Sequence, residues 1–176
     1  VFDRRAQAWR HLLDPKTGFM RPRQNGRFKE AFDPREVDFH YTEGNAWQYT
    51  WFVPQDVPGL VQAMGRERFV SRLNEAFEKS APTRFNAAGD RFDLYPLNHG
   101  NQPTMHVAWL VNWAGKPWLS QRWARAILDA YYGHNPADAY LGDEDQGQMS
   151  AWFAMSALGL FQTDGGCRVN PIYELG

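Results

Sequence analysis

Apolar positions recur at helical spacing in several separate stretches of the chain. Phe2, Ala6, Trp9, Leu12 and Leu13 predict a helix over 2–13, stopped by the turn residues Asp14-Pro15-Lys16-Thr17-Gly18. Thr42 and Glu43 open a short helix over 45–52, halted near Pro54. Another is predicted over 57–64, with Pro58 in its first turn, where a missing N–H does no harm. Phe69, Leu73, Ala76 and Phe77 mark an amphipathic helix over 66–79. Residues 103–113 and 148–161 predict helices that are apolar almost throughout, the second with small Ser150, Ala151, Ala154, Ser156 and Ala157. The segment 117–132 is amphipathic and ends at Gly133. Residues 18–40, 81–101 and 134–147 read as loops, and the tail over 169–175 has room for one short strand.

The pattern therefore predicts an all-α fold. Its helices differ in character. Those containing Trp47, Pro103 and Gln148 are apolar all round, which means burial on every side, whereas those starting at Arg66 and Pro117 are amphipathic. Inner helices covered by outer ones describe an α/α toroid, with a plain helical bundle as the alternative. No short-period repeat marks a solenoid. The loops ahead of the apolar helices carry Glu43, Asn101 and Asp145, so a toroid would gather all three at one end of the inner ring.

Composition narrows the function classes. The chain has 176 residues, enough for one sizeable core, with a net charge of -1. Near-neutral charge gives no electrostatic reason to bind nucleic acid or an anionic membrane surface. No apolar run approaches the roughly 18 to 20 residues of a spanning helix. The start, Val1-Phe2-Asp3-Arg4-Arg5, is charged at once and has no initiating Met, so the expectation is an internal piece of a longer chain. The single Cys167 cannot form an internal disulfide. Aromatic residues make up 15%, including eight Trp, so some Trp faces are available as platforms for the C–H faces of sugar rings.

Two runs concentrate chemistry. Gly142-Asp143-Glu144-Asp145-Gln146-Gly147-Gln148 sets three adjacent acids between glycines before an apolar helix. Tyr41-Thr42-Glu43-Gly44-Asn45-Ala46-Trp47-Gln48-Tyr49 sets an acid among amides and aromatics at another helix start. Two carboxyl groups, aromatic platforms and amide hydrogen-bonders are what glycoside hydrolysis requires. Glu43, Asp145 and Asp143 are the candidate catalytic acids, and Trp47, Gln48 and Gln148 the candidate substrate contacts. In an extended loop Asp143 and Asp145 face one way and Glu144 the other. The plainer readings are an acid favoured by the helix dipole for Glu43, a solvated acidic turn for 143–145, and helix N-capping for Asn101. Asn101 and Gln102 also offer oxygen ligands to a hard cation such as calcium. His40, His99 and His106 lack the short spacing of a zinc motif. Arg21 and Arg23, around Pro22, are either surface charges or contacts to substrate or a partner domain.

Five runs in order, Thr17-Gly18-Phe19-Met20-Arg21, Thr42 to Tyr49, Phe52-Val53-Pro54-Gln55-Asp56-Val57, Gly100-Asn101-Gln102-Pro103 and Glu144 to Trp152, resemble the family 92 glycoside hydrolases. The resemblance covers nearly the whole chain. It implies a calcium-dependent exo-acting α-mannosidase that works by a single inverting displacement on mannose-containing glycans. It further implies a partial (α/α)6 toroid with long site-forming loops. Residues 1–176 are then one domain, the later part of a catalytic unit whose N-terminal β-sandwich and first helices lie elsewhere in the same polypeptide. The family's acid falls on Glu43, its base on Asp145 with Asp143 close by, and its calcium near Asn101 and Gln102. A periplasmic or secreted location is implied as well. The family usually has Glu where this chain has Gln102, which removes a charge from the metal site, and Met105 and His106 also depart from its pattern. The alternatives are a non-catalytic carbohydrate-binding helical domain, another α/α-toroid enzyme such as a polysaccharide lyase, and a purely structural helical domain.

Overall fold

The computed structural model describes residues 1–37, 40–88, 91 and 96–163, together with the backbone strand 173–175. Cys167 lies outside the described residues. Helices dominate, and the longest are the two amphipathic segments, α4 (Arg66–Ser80) and α5 (Pro117–Tyr131). Their apolar positions pack inward: Phe69, Leu73 and Phe77 from α4, Trp123 and Ile127 from α5. Phe77 and Trp123 stack with centroids 5.1 Å apart, and the Trp123 indole N–H donates to Asn74 Oδ1 at 3.0 Å. That donor is satisfied because α4 supplies a polar atom at the edge of the contact.

Just ahead of α4 in the chain runs α3 (Val57–Met64), which begins under a side-chain cap: Asp56 Oδ1 accepts from Gly59 N–H at 3.0 Å. Arg10 also pairs with Asp56 at 3.0 Å, tying the first helical segment to this cap. That first segment is broken where a single helix over 2–13 is expected. It forms α1 (Phe2–Ala6) and a 3₁₀ turn over Ala8–His11, which buries Trp9. Residues 18–40 contain a small antiparallel hairpin, β1 (Arg23–Gln24) and β2 (Arg27–Phe28). Arg21 is neither a loose surface charge nor a free contact group. It pairs with Asp14 at 2.9 Å and donates to the backbone carbonyls of Lys29 and Glu30, pinning the loop. Burial raises the Asp14 pKa, but Arg21, the Lys16 N–H and the Thr17 hydroxyl outweigh it and hold the carboxyl below its ordinary value.

The apolar stretches deviate most from α-helical expectation. The run 103–113 folds as two 3₁₀ segments, Gln102–Thr104 and Val107–Asn112. It is nonetheless the centre of the core, with Val107, Ala108, Trp109, Leu110 and Val111 all buried against α5. The short helix α2 (Ala46–Tyr49) is buried through Ala46, Trp47 and Gln48. The last predicted helix stops early: α6 covers Gln148–Ala157, Gly159 turns the chain at φ +73, and β3 (Leu160–Gln162) pairs antiparallel with β4 (Tyr173–Leu175). Burial of α6 on every side is not what the structure shows. Met149, Trp152 and Ser156 are buried, while Phe153 is 43% and Leu158 73% exposed. No helix among the described residues is long and apolar enough to cross a membrane.

Candidate active site

The loop over 42–44, ahead of α2, presents Glu43 to solvent while its backbone is held on both sides. The Glu43 N–H donates to the Tyr49 hydroxyl at 3.2 Å, and the Glu43 carbonyl accepts from Asn101 Nδ2 at 3.2 Å. Gly44, at φ +123, has no room for a side chain: a Cβ there would lie 1.8 Å from Gln48 Oε1. A fully buried Gln48 thus sits directly beneath the turn that aims Glu43. The helix-dipole explanation for Glu43 fails, because the helix N-cap is Asn45 and no acid occupies its first turn.

The acidic loop divides its three carboxylates between two tasks. Glu144 turns back to its own chain, accepting from the Ser150 N–H at 3.2 Å. Burial acts to raise its pKa, but the bonds from Ser150 and Tyr140 prevail and lower it. Asp143 and Asp145 instead line a cavity of about 360 Å³. Asp145 and Gln146 both adopt left-handed backbone, at φ +53 and +62, and Gly147 continues it at φ +92. Two consecutive non-glycine residues in that region cost about 1–3 kcal/mol each. The expenditure lifts Asp145 out of the helix start and toward the cavity.

The same cavity is lined by Glu43, Gly44, Asn98, Gly100, Asn101 and Gln102. Three carboxylates, from loops about a hundred positions apart, therefore meet in one concave site. Among the described residues no Lys, Arg or His lines it, so the side chains that do give it a negative charge. Asn101 does not use its side chain as a helix cap; it bonds Glu43 instead. Gln102 Nε2 donates to Asp145 Oδ2 at 2.7 Å. The amide pair thus links the two acid-bearing loops, one neighbour to each.

The oxygens that carboxylates and amide carbonyls bring to this lining suit a hard divalent cation such as calcium. Asn101 and Gln102 commit their nitrogens to Glu43 and Asp145, which leaves their carbonyl oxygens as the atoms for a metal. Among the described residues no three His, Cys, Asp or Glu side chains converge closely enough to hold an ion, so amide or backbone oxygens would complete any shell.

Three expected substrate contacts do not line this cavity. Trp47 is buried against Phe19, with ring centroids 4.9 Å apart, and lies beneath Arg72 and Lys79. Gln48 is buried under Gly44. Gln148 borders a separate apolar groove with Met105, Trp152 and Phe161. Met105 and His106 face the core: the Met105 carbonyl accepts from the Trp152 indole at 2.8 Å, and His106 Nε2 meets the Trp51 carbonyl at 2.9 Å. His40 borders a third, largely apolar cavity with Trp9, Tyr49 and Phe52.

Sequence reasoning missed Asn98, which lines the site, and Tyr131, which lies beneath it. Tyr131 reads on the helix as one more apolar position of α5. Only its burial, together with the glycines that face it at 100 and 142, reveals a polar role.

Fold and site together describe a helical domain with a carboxylate-lined cavity suited to acid–base chemistry on a polyhydroxylated substrate. The chain belongs to glycosyl hydrolase family 92: the family's catalytic domain matches it over residues 1–176. The structure resembles that of the family 92 α-mannosidase BT3965 from Bacteroides thetaiotaomicron, with a TM-score of 0.83 and 38% identity over 98% of this chain and 22% of that one. It also resembles the family 92 inverting mannosidase BT2199 from Bacteroides thetaiotaomicron VPI-5482, with a TM-score of 0.76 and 32% identity over 93% of this chain and 24% of that one. An uncharacterized secreted glycosidase of Arthroderma benhamiae is 26% identical over 124 residues, 70% of this chain and 14% of the fungal protein. The chain thus spans less than a quarter of the length of each relative.

Proposed function

We propose that these residues form the later part of an (α/α)6 catalytic domain that removes terminal α-linked mannose from glycans with inversion at the anomeric carbon. The observation that carries the reading is the meeting of Glu43, Asp143 and Asp145 in one cavity, with an amide bonded to each acid-bearing loop. Further support is a solved structure of BT3965 in complex with mannoimidazole, which matches 98% of this chain at a TM-score of 0.80.

Glu43 is the general acid, exposed at the cavity wall so that its proton can reach a glycosidic oxygen. Asp145 is the general base, and Asp143 its partner. As the bond from the anomeric carbon to the leaving oxygen breaks, that oxygen takes the proton of Glu43. Asp145 accepts a proton from the water that attacks the opposite face. One displacement gives free mannose as the β-anomer and an alcohol. Such a pair stands about 6.5–9.5 Å apart, leaving room for the water. Gln102 holds one oxygen of Asp145, so the other is available to the water. Calcium, when bound, would supply positive charge to the sugar hydroxyls, and Asn101 and Gln102 are the residues that would hold it. Trp47, Gln48 and Gln148 then act on substrate indirectly: Gln48 underpins Gly44, Trp47 packs under α2, and Gln148 begins α6 beside the acidic loop. The reading assigns an N-terminal β-sandwich and the earlier helices to polypeptide outside residues 1–176, and a role in degrading N-glycans and similar mannosides. A periplasmic or secreted setting fits the fungal relative, a secreted glycosidase.

The test is product analysis by NMR on the full-length protein, with a panel of α-linked mannobioses, before and after chelation. β-Mannose should appear first from at least one linkage, and chelation should abolish it. Initial release of α-mannose, or no cleavage of any linkage, overturns the reading.

A further inference from the structure

Tyr131 closes the last turn of α5 and is fully buried, yet its hydroxyl lies between two loops of the site. It donates to the carbonyl of Leu141, at the start of the acidic loop. The Leu141 N–H in turn donates to the Tyr131 carbonyl at 3.3 Å, so the residue grips this end of the loop by side chain and backbone. On its other side stands Gly100, immediately before Asn101 and Gln102. A Cβ at Gly100 would fall 2.3 Å from the Tyr131 oxygen, and one at Gly142 would fall 3.0 Å from it. The hydroxyl therefore touches both the loop that holds the amide pair and the loop that holds Asp143 and Asp145. Its ring is fixed from behind by His99, with centroids 4.8 Å apart, and by Tyr132 at 5.4 Å. His99 Nε2 in turn meets the Tyr132 hydroxyl at 2.9 Å. The phenol is pushed well above its ordinary pKa, by burial first and then by the charges of Asp145 and Asp143, so it stays protonated as a donor.

We propose that Tyr131 is a positioning residue: its hydroxyl sets the spacing between the Gly100–Gln102 loop and the Leu141–Asp145 loop, and thereby the placement of Asp145 opposite Gln102. It does not line the cavity and touches no substrate. Near-attack geometry is sensitive to displacements of this size, since a shift of about 1 Å can cost about 10²-fold in rate. Glycine at 100 follows directly, because a side chain there would occupy the hydroxyl's place, whereas at 142 a Cβ would press on the hydroxyl and the backbone φ of +81 itself favours glycine.

This inference rests on the role proposed above for Asp145, and the experiment separates the two. Tyr131→Phe, Gly100→Ala, their double variant and Asp145→Asn are made in the full-length protein. Each is assayed on an unactivated mannoside and on one with an acidic leaving group. Tyr131→Phe keeps the ring and loses only the hydroxyl. It should lower kcat by about 10- to 10²-fold on both substrates alike, the pattern of a displaced base, with KM nearly unchanged. Amide hydrogen exchange over 141–147 should quicken. Gly100→Ala should be impaired, and the double variant should recover toward Tyr131→Phe, because the methyl then occupies the space of the deleted oxygen. Full kcat in Tyr131→Phe, with Asp145→Asn inactive, overturns the positioning role alone. Asp145→Asn as active as the parent overturns the assignment of the base. A fall in melting temperature with kcat unchanged would make Tyr131 a packing residue and also overturn the inference.

Discussion

Gln102 Nε2 donates to Asp145 Oδ2 at 2.7 Å across 43 positions of the chain. The acceptor belongs to a residue on left-handed backbone, and the donor to one exposed at the rim of the cavity. A carboxylate bonded in this way keeps one oxygen occupied and the other available, which suits a group that must take a proton from water. The neighbouring Asn101 holds the Glu43 carbonyl at 3.2 Å, so consecutive amides address the two candidate catalytic loops.

Replacing Gln102 separates its two candidate duties. A hydrogen bond to a charged group contributes about 1.5–3 kcal/mol, so Gln102→Ala should lower kcat by about 10-fold or more. Gln102→Glu sets a carboxylate beside Asp145, and like charges at that distance favour a bound cation. Calcium titration by calorimetry should then show tighter binding than in the parent. Unchanged affinity would remove Gln102 from the metal's surroundings.

Glu43→Gln should nearly abolish cleavage of unactivated mannosides while sparing a substrate with an acidic leaving group. General-acid catalysis contributes about 10²- to 10⁴-fold, and a good leaving group needs little protonation. Asp145→Asn should damage both substrates, because water must be activated in either case. Steady-state kinetics on the two substrates decide it, and equal damage by Glu43→Gln would overturn the assigned roles.

Two buried histidines make stability depend on pH. Burial among Tyr131, Tyr132 and Trp152 pushes the His99 imidazole down to about 3. Burial takes His106 down to about 4, although the Trp51 carbonyl acts to raise it. Both are neutral in the fold, whereas an unfolded histidine titrates near about 6.5. Below that value the unfolded chain binds more protons, so the contribution is complete above about pH 6.5 and is lost as pH falls toward 4 and 3. The melting temperature of the full-length protein should drop between pH 7 and pH 5, and His106→Gln should make that drop smaller. An identical drop in the variant would contradict the account.

The outer side of α6 should behave differently in the isolated chain and in the whole protein. Phe153 and Leu158 are exposed here, as are Phe52 and Leu12, which borders the cavity around Trp9. Apolar surface of this kind drives association. The isolated chain should bind a hydrophobic dye and aggregate, and Phe153→Ser with Leu158→Ser should relieve both. In the full-length protein, where further polypeptide is proposed to cover this side, Phe153→Ala should cost about 3–5 kcal/mol, read by denaturant unfolding. A soluble, dye-silent isolated chain would count against a covered face.

The amphipathic helices α4 and α5 are legible in the sequence because one-sided burial writes itself as a 3.6-residue period. The apolar run around Trp109 has no such period. Its residues are buried whichever helix they form, so only packing against α5 selected 3₁₀ geometry. Gly159 did mark the end of α6, and its positive φ is a helix-stopping signal that the apolar run obscured. The break at Gln7 left no comparable mark.

Residue types and their local order around the site were readable in the same way: acids beside glycines, amides before a proline, aromatics at helix starts. These are properties of neighbours in the chain, and short-range chemistry determines them. Convergence is a different matter. That Glu43, Asp143 and Asp145 share a cavity while Trp47 and Gln148 lie outside it depends on where loops about a hundred positions apart come to rest. Side-chain direction was equally undecided, since the nitrogen of an amide at a helix start can face solvent, a neighbour in the chain or a distant carbonyl. The tertiary structure set the Asn101 amide nitrogen against the distant Glu43 carbonyl, because burial leaves a polar group only the partners that packing brings within reach.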